Sequence, residues 1–254
     1  SFSGLLIIIV LFYAGELIGK ERGAKIHEDS DAMPVPNWVP WAAKFAALVA
    51  VILSFQLMGG VTAVAMQLAK GYTQIEPLVY VKTLMLDSVV YILMGGLALT
   101  LQVFSNNKFV GYALLIVVLV AQGVLDTLDF THNLYNFGSW PIAPYSDMNG
   151  YGHFLTGQLA FQGYWLLLLL ALLLLSAALW VRGVGGGVRQ RVALAKQRLH
   201  GRLGIATALA FTAFAAVGGW LFWDTNVRNE FVSPDQQLDL QARYGREYVK
   251  YRHL

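Results

Sequence analysis

Two clusters of ionisable residues stand out in an otherwise apolar chain of 254 residues. The first runs from Glu16 to Asp31 (ELIGKERGAKIHEDSD), between one apolar run and a Pro34-Val35-Pro36 breaker that turns the chain into the next. A short charged helix held between two membrane spans has the shape of a coupling helix, which docks into a soluble partner and transmits its motion. Its candidate residues are Glu16, Lys20, Glu21, Arg22, Lys25, Ile26, His27 and Glu28. The plainer alternative is a solvated basic loop. Glu16, next to Leu17 and Ile18, lies at a depth where an acid needs a partner, and Lys20 and Arg22 are within snorkelling reach. The second cluster is Asp126, Asp129 and His132, with Asp147 and His153 further on. An i, i+3 spacing puts such residues on one helix face, and carboxylates with imidazoles suit zinc, copper or iron. That reading makes the chain a metalloenzyme subunit of the monooxygenase kind. The alternative is a wet outer loop in which Asp and Asn serve turns, and the spacing matches no tight metal signature. His27-Glu28 opens like HExxH, but position 31 is Asp31, so the motif fails. No GxxxxGK[ST] occurs, so the chain has no P-loop for ATP.

The elements that must position these groups are apolar helices. The tract Trp165 to Trp180 (WLLLLLALLLLSAALW) holds no charge. At about 1.5 Å of rise per residue, about 20 apolar residues cross a hydrocarbon core of about 30 Å, and the apolar residues from Leu155 make this tract long enough. The chain is 57% hydrophobic and 13% charged, with a mean hydropathy of +0.55, against about 25% charged in a soluble domain. The pattern predicts an all-α, polytopic transmembrane bundle of about six spans, over residues 2–18, 40–68, 81–104, 109–125, 155–181 and 203–223. The opening, SFSGLLIIIVLFYAGEL, has no basic stretch before its apolar run, so it reads as a span entered part-way rather than a signal peptide, and the chain as a piece of something longer. Asp87 falls within the third span and should face the bundle interior or water, near Gln56 or Gln67. Gly15 and Gly19, and the pairs Gly59-Gly60, Gly95-Gly96 and Gly218-Gly219, are small enough to let helices approach closely. With no cysteine, disulfides, iron–sulfur clusters and Cys-based zinc sites are excluded.

Charge sets the orientation. Lys20, Arg22, Lys25, Lys108, Arg182, Arg189, Arg191, Lys196, Arg198 and Arg202 cluster in alternate loops, whereas the loop from Asp126 to His153 holds no Lys or Arg. Basic loops stay on the cytoplasmic side, so the start of the chain, the loop 126–153 and the tail from Asp224 lie outside. Lys70 and Lys82, beside Glu76, are a small exception. The net charge of +3 is clustered as topology requires, which argues against nucleic-acid binding. The outer loop is rich in aromatics (Tyr135, Phe137, Trp140, Tyr145, Tyr151), as an interfacial belt or a lid would be, and Ser146-Asp147-Met148-Asn149-Gly150 reads as a turn or cap. The tail, 224–254, begins irregularly and becomes a short amphipathic helix after Ser233-Pro234-Asp235.

The blocks GELIGKERGAKIHEDSDAMPVPNW, KGYTQIEPLVYVK, NNKFVGY, HNLYNFGSWPIAPYSDMNGYGHF and WDTNVRNEF, in this order, resemble the membrane part of bacterial ABC-2-type permeases that continue into an M1-aminopeptidase-like domain. The resemblance spans nearly the whole chain, and the HNLY…PYSDMNGYGHF block and the tail carry most of it. Asp224 departs from the Asn of the family's turn. The resemblance implies a type V exporter-like permease half, spanning residues 1–223, with a coupling segment at 20–31. It implies a separate nucleotide-binding subunit that holds ATP and Mg, a second permease half, and a bacterial inner-membrane location. Gln56, Gln67 and Asp87 would lie along the substrate path. The tail would lead toward a peptidase-like region whose zinc ligands these residues do not include, so the chain is expected to be neither a peptidase nor an ATPase. It would hold no cofactor of its own. A scaffold subunit of a membrane complex is the third alternative.

Overall fold

The computed structural model describes residues 2–23, 35–36, 38–105, 107–128, 130–180, 188–229 and 234–248. These form helices α1 (Phe2–Gly23), α2 (Trp38–Ala69), α3 (Pro77–Ser105), α4 (Lys108–Thr127), α5 (Phe154–Leu179), α6 (Val188–Leu199), α7 (Arg202–Phe222) and α8 (Pro234–Tyr248). No strand occurs among the described residues; an isolated bridge joins Ser146 and Gly150. Five helices are long and apolar enough to cross a bilayer, and α1 adds a shorter apolar stretch, Ser3–Gly19. The chain is a multi-pass helical membrane protein.

Its surface follows from that solvent. Leu57, Met58 and Val61 on α2, Ile116, Val117 and Val120 on α4, and Ile205 and Leu209 on α7 are all more than half exposed. A water-soluble surface does not carry such rows, whereas lipid tails accept them. Half of the apolar window of α3 is covered by protein, against 17% for α2, because α3 packs on α1 more extensively than α2 does and also meets Leu169 of α5. Small residues make this possible. A Cβ at Gly95 would lie 2.7 Å from Val10 of α1 and 3.0 Å from Leu48 of α2, and one at Gly96 would lie 2.6 Å from Leu169 of α5. Gly60 receives Leu84 and Gly218 receives Tyr164 in the same way, while Gly219 faces open space.

The chain divides into two compact units, Ser1–Val117 with Trp165–Thr212, and Val118–Tyr164 with Ala213–Leu254. The divisions fall inside α4, α5 and α7. Thr225, at the start of the tail, bonds to His132 of the loop (3.1 Å). In this second unit α7 runs on into a π-helical turn, Trp223–Arg228, where an irregular segment is expected from sequence. The loop is folded: Ser146 and Gly150 exchange backbone hydrogen bonds of 2.8 and 2.7 Å, and Gly138, Gly150 and Gly152 take positive φ. The buried Ala143 N–H donates to Gln158 of α5 (3.0 Å).

In the first unit the ends of several helices are tied together. Asn107 caps α4, its side-chain oxygen accepting from the N–H groups of Phe109 (2.9 Å) and Val110, as a residue before the first helical position should. The last carbonyls of α3 and α5 have no partner within their own helices. α6 supplies one. Arg191, Ala195 and Arg198, at i, i+4 and i+7, share its inward face. Arg191 is 6% exposed and donates to Val103 and Phe104 of α3 and to Leu179 of α5. Arg198 donates to the carbonyls of Ala178 (3.0 Å) and Trp180. A cation at a helix C-terminus also meets the negative end of the helix dipole. The basic segment expected as a loop is thus a helix that stitches two spans.

Candidate functional site

α1 is continuous from its apolar stretch to Gly23, so Lys20, Glu21 and Arg22 occupy its last turns. Lys25, Ile26, His27 and Glu28 lie outside the described residues. Glu16 is the pivot of this region. Its carboxylate pairs with Lys108 at the start of α4, a cation from a different helix that the spacing along α1 does not suggest. The approach has a physical reason. Gly15 lets the ring of Tyr112 lie against the α1 backbone, and Gly19 lets the Lys108 stem do so. α4 therefore comes close enough for Lys108 to reach Glu16, while the Tyr112 hydroxyl donates to the Phe12 carbonyl (3.1 Å). Nearby, Lys44 of α2, only 7% exposed, donates to the Leu17 carbonyl (2.9 Å). Two cations from neighbouring helices thus hold the charged end of α1.

The second feature is a cavity of about 670 Å³ between α2 and α3. It is built by matched helical spacings. Tyr80, Thr83, Asp87 and Tyr91 follow one face of α3, and Gln56, Gly60 and Ala63 face them from α2. Gln56 and Asp87 both line this cavity, whereas Gln67 does not. It accepts from the Tyr80 hydroxyl and donates to the Gln74 carbonyl (3.1 Å) in an adjoining hollow. Gln56 is 6% exposed and, like Asp87, has no hydrogen-bond or ionic partner among the described residues. Thr83, Tyr80 and Tyr91 were not singled out from sequence. The signal that could have found them is the repeat of polar-edged side chains every three or four residues in an otherwise apolar span.

The third is the region of the alternative metal reading. Asp129 lies outside the described residues, as does the side chain of Asp126. His132 and His153 pack against different aromatic side chains. His153 lies against Phe154, ring centroids 4.1 Å apart. His132 is 6% exposed, beside Tyr135 and Phe161, and both its nitrogens serve the fold. Nδ1 accepts from the Leu134 N–H (3.1 Å), which leaves the proton on Nε2 to be donated to the Thr225 hydroxyl, itself donating to the Leu221 carbonyl (2.7 Å). Burial disfavours the imidazolium and holds the His132 pKa below its ordinary value. No group of three or more His, Cys, Asp or Glu suited to a metal occurs among the described residues. Comparison with protein-family models, with curated proteins and with solved structures returns no match.

Proposed function

We propose that the chain is the membrane-spanning permease subunit of an ATP-driven ABC-2-type transporter in a bacterial inner membrane. The observation that carries this reading is the build of α1. One rigid helix runs from an apolar stretch to a charged end, and near that end Glu16 is bonded to Lys108 of a different helix. A push delivered at Lys20, Glu21 or Arg22 then moves α1 and α4 together, as coupling to a soluble motor requires. The segment that follows, through Lys25, Ile26, His27 and Glu28, would dock a nucleotide-binding subunit that carries ATP and Mg. A second permease half would complete the pathway, and Gln56 and Asp87 would lie along it. The clustered cationic side chains of this region agree with a cytoplasmic face. Neither peptide hydrolysis nor ATP hydrolysis is assigned to this chain.

The test is purification in mild detergent followed by identification of co-purifying chains. An ATPase subunit is expected. The double reversal Arg22→Glu/Lys25→Glu should abolish substrate-stimulated ATP hydrolysis in the assembled complex. Full stimulation with normally folded protein would remove the coupling role.

A further inference from the structure

We infer that the cavity between α2 and α3 is a binding site for a cationic amphiphile, with Asp87 as the counter-ion. The inference deepens the reading of this cavity as part of a transport path, and its binding chemistry stands on the chain itself.

Depth comes first. Asp87 is six residues into the span expected from residue 81, about 9 Å along the axis at 1.5 Å per residue, well inside a hydrocarbon core of about 30 Å. An ionised carboxylate at that depth is expensive unless a cation or water meets it. Every other described carboxylate within a candidate span lies at a helix end or is paired: Glu16 with Lys108, and Asp224, in the terminal π turn, with Arg228. Asp87 alone among them has neither advantage. Lys82, on the same helix, is five residues away, a spacing that does not bring two side chains onto one face of a helix.

The walls come next. A volume of about 670 Å³ lies within the roughly 300–1,000 Å³ usual for small-molecule sites. Most of the lining surface is apolar, from Phe55, Met58 and Met66 among others, with hydroxyls of Thr62, Thr83 and Tyr80 at its edges. Tyr91, 5% exposed, and Phe55 offer aromatic rings, whose faces attract cations. The methionine thioethers adapt to irregular apolar shapes. Gln56 is a buried amide without a partner among the described residues, available to orient a polar headgroup. An anion is disfavoured by Asp87, and a neutral lipid tail would leave both Asp87 and Gln56 unsatisfied. An apolar body with a single positive charge satisfies every wall at once.

The experiment uses the purified chain in lipid nanodiscs, with tetraphenylphosphonium as the cationic probe and tetraphenylborate, of the same shape and opposite charge, as the control. Tetraphenylphosphonium should bind, and Asp87→Asn should weaken it by roughly tenfold or more, the loss expected when one member of a desolvated charge pair is neutralised. Asp87→Glu should restore most of the binding. A Lys70→Gln variant, changed outside the cavity, should bind as the unchanged protein does. Equal binding of the two probes, or binding indifferent to Asp87→Asn, overturns the inference. So does an Asp87→Asn variant that loses a dimer while keeping its probe affinity, since the cavity would then be a subunit interface. Failure of the transporter reading is distinguishable, because it is read from the absence of an ATPase partner and leaves probe binding unchanged.

Discussion

His132 shows how far a single side chain can be read once its partners are known. Its neutral form, with the proton on Nε2, is the one that accepts from Leu134 and donates to Thr225. Because burial lowers the pKa in the folded protein, the unfolded chain binds more protons between the folded value and the ordinary value of about 6.5. Stability from this group is therefore full above about pH 6.5 and is lost as pH falls through the folded value. Melting temperature measured against pH should drop on the acid side, and His132→Gln should remove that component of the drop. Glu16 and Lys108 make a second prediction. Glu16→Lys places two cations together and should lower the melting temperature in detergent, whereas the exchanged pair, Glu16→Lys with Lys108→Glu, should recover most of it. A double variant no better than Glu16→Lys alone would show that the pair does not hold α1 to α4. Neither partner choice was legible in the sequence. Glu16 visibly needed a cation, but only the close approach of α4 allowed by Gly15 and Gly19 brings Lys108 within its reach.

At the level of elements, close packing and capped ends carry the argument. Gly95→Ala would drive a methyl group into Val10 and Leu48, and overpacking of this kind costs about 1–3 kcal/mol. A measured loss of thermal stability without loss of helical circular dichroism is the expected result. Arg191→Gln removes a buried cation that serves the carbonyls of two helices. Hydrogen bonds to charged groups are worth about 1.5–3 kcal/mol each, so the variant should be destabilised by about 3 kcal/mol, more than Arg189→Gln, whose side chain is exposed. The apolar runs announced α2 to α5 and α7 to within a few residues, because continuous hydropathy over about 20 residues admits little but a spanning helix. They did not reveal α6, whose sequence, VRQRVALAKQRL, is half charged or amide side chains. Its role depends on Arg191 and Arg198 turning inward toward carbonyls brought there by other helices. The π turn at Trp223–Arg228 was likewise hidden, since a change of hydrogen-bond register leaves composition untouched.

For the molecule as a whole, the absence of cysteine is an experimental advantage. A single Lys196→Cys on the exposed side of α6 should react with an impermeant maleimide only when the cytoplasmic face is open to it. Labelling from the periplasm in intact cells would reverse the assigned orientation and remove the proposed docking face. This proposed orientation rests on the alternating clusters of basic residues in the sequence. The cavity was legible only in part, for Asp87 and Gln56 signalled buried polarity while the rest of its wall is apolar and inconspicuous. The stitching by Arg191 and Arg198 has a mechanical corollary. Where guanidinium groups clasp the closing turns of α3 and α5, those two rods cannot splay without breaking the bonds that tie them, so this end of the pair acts as a rivet that resists separation most strongly.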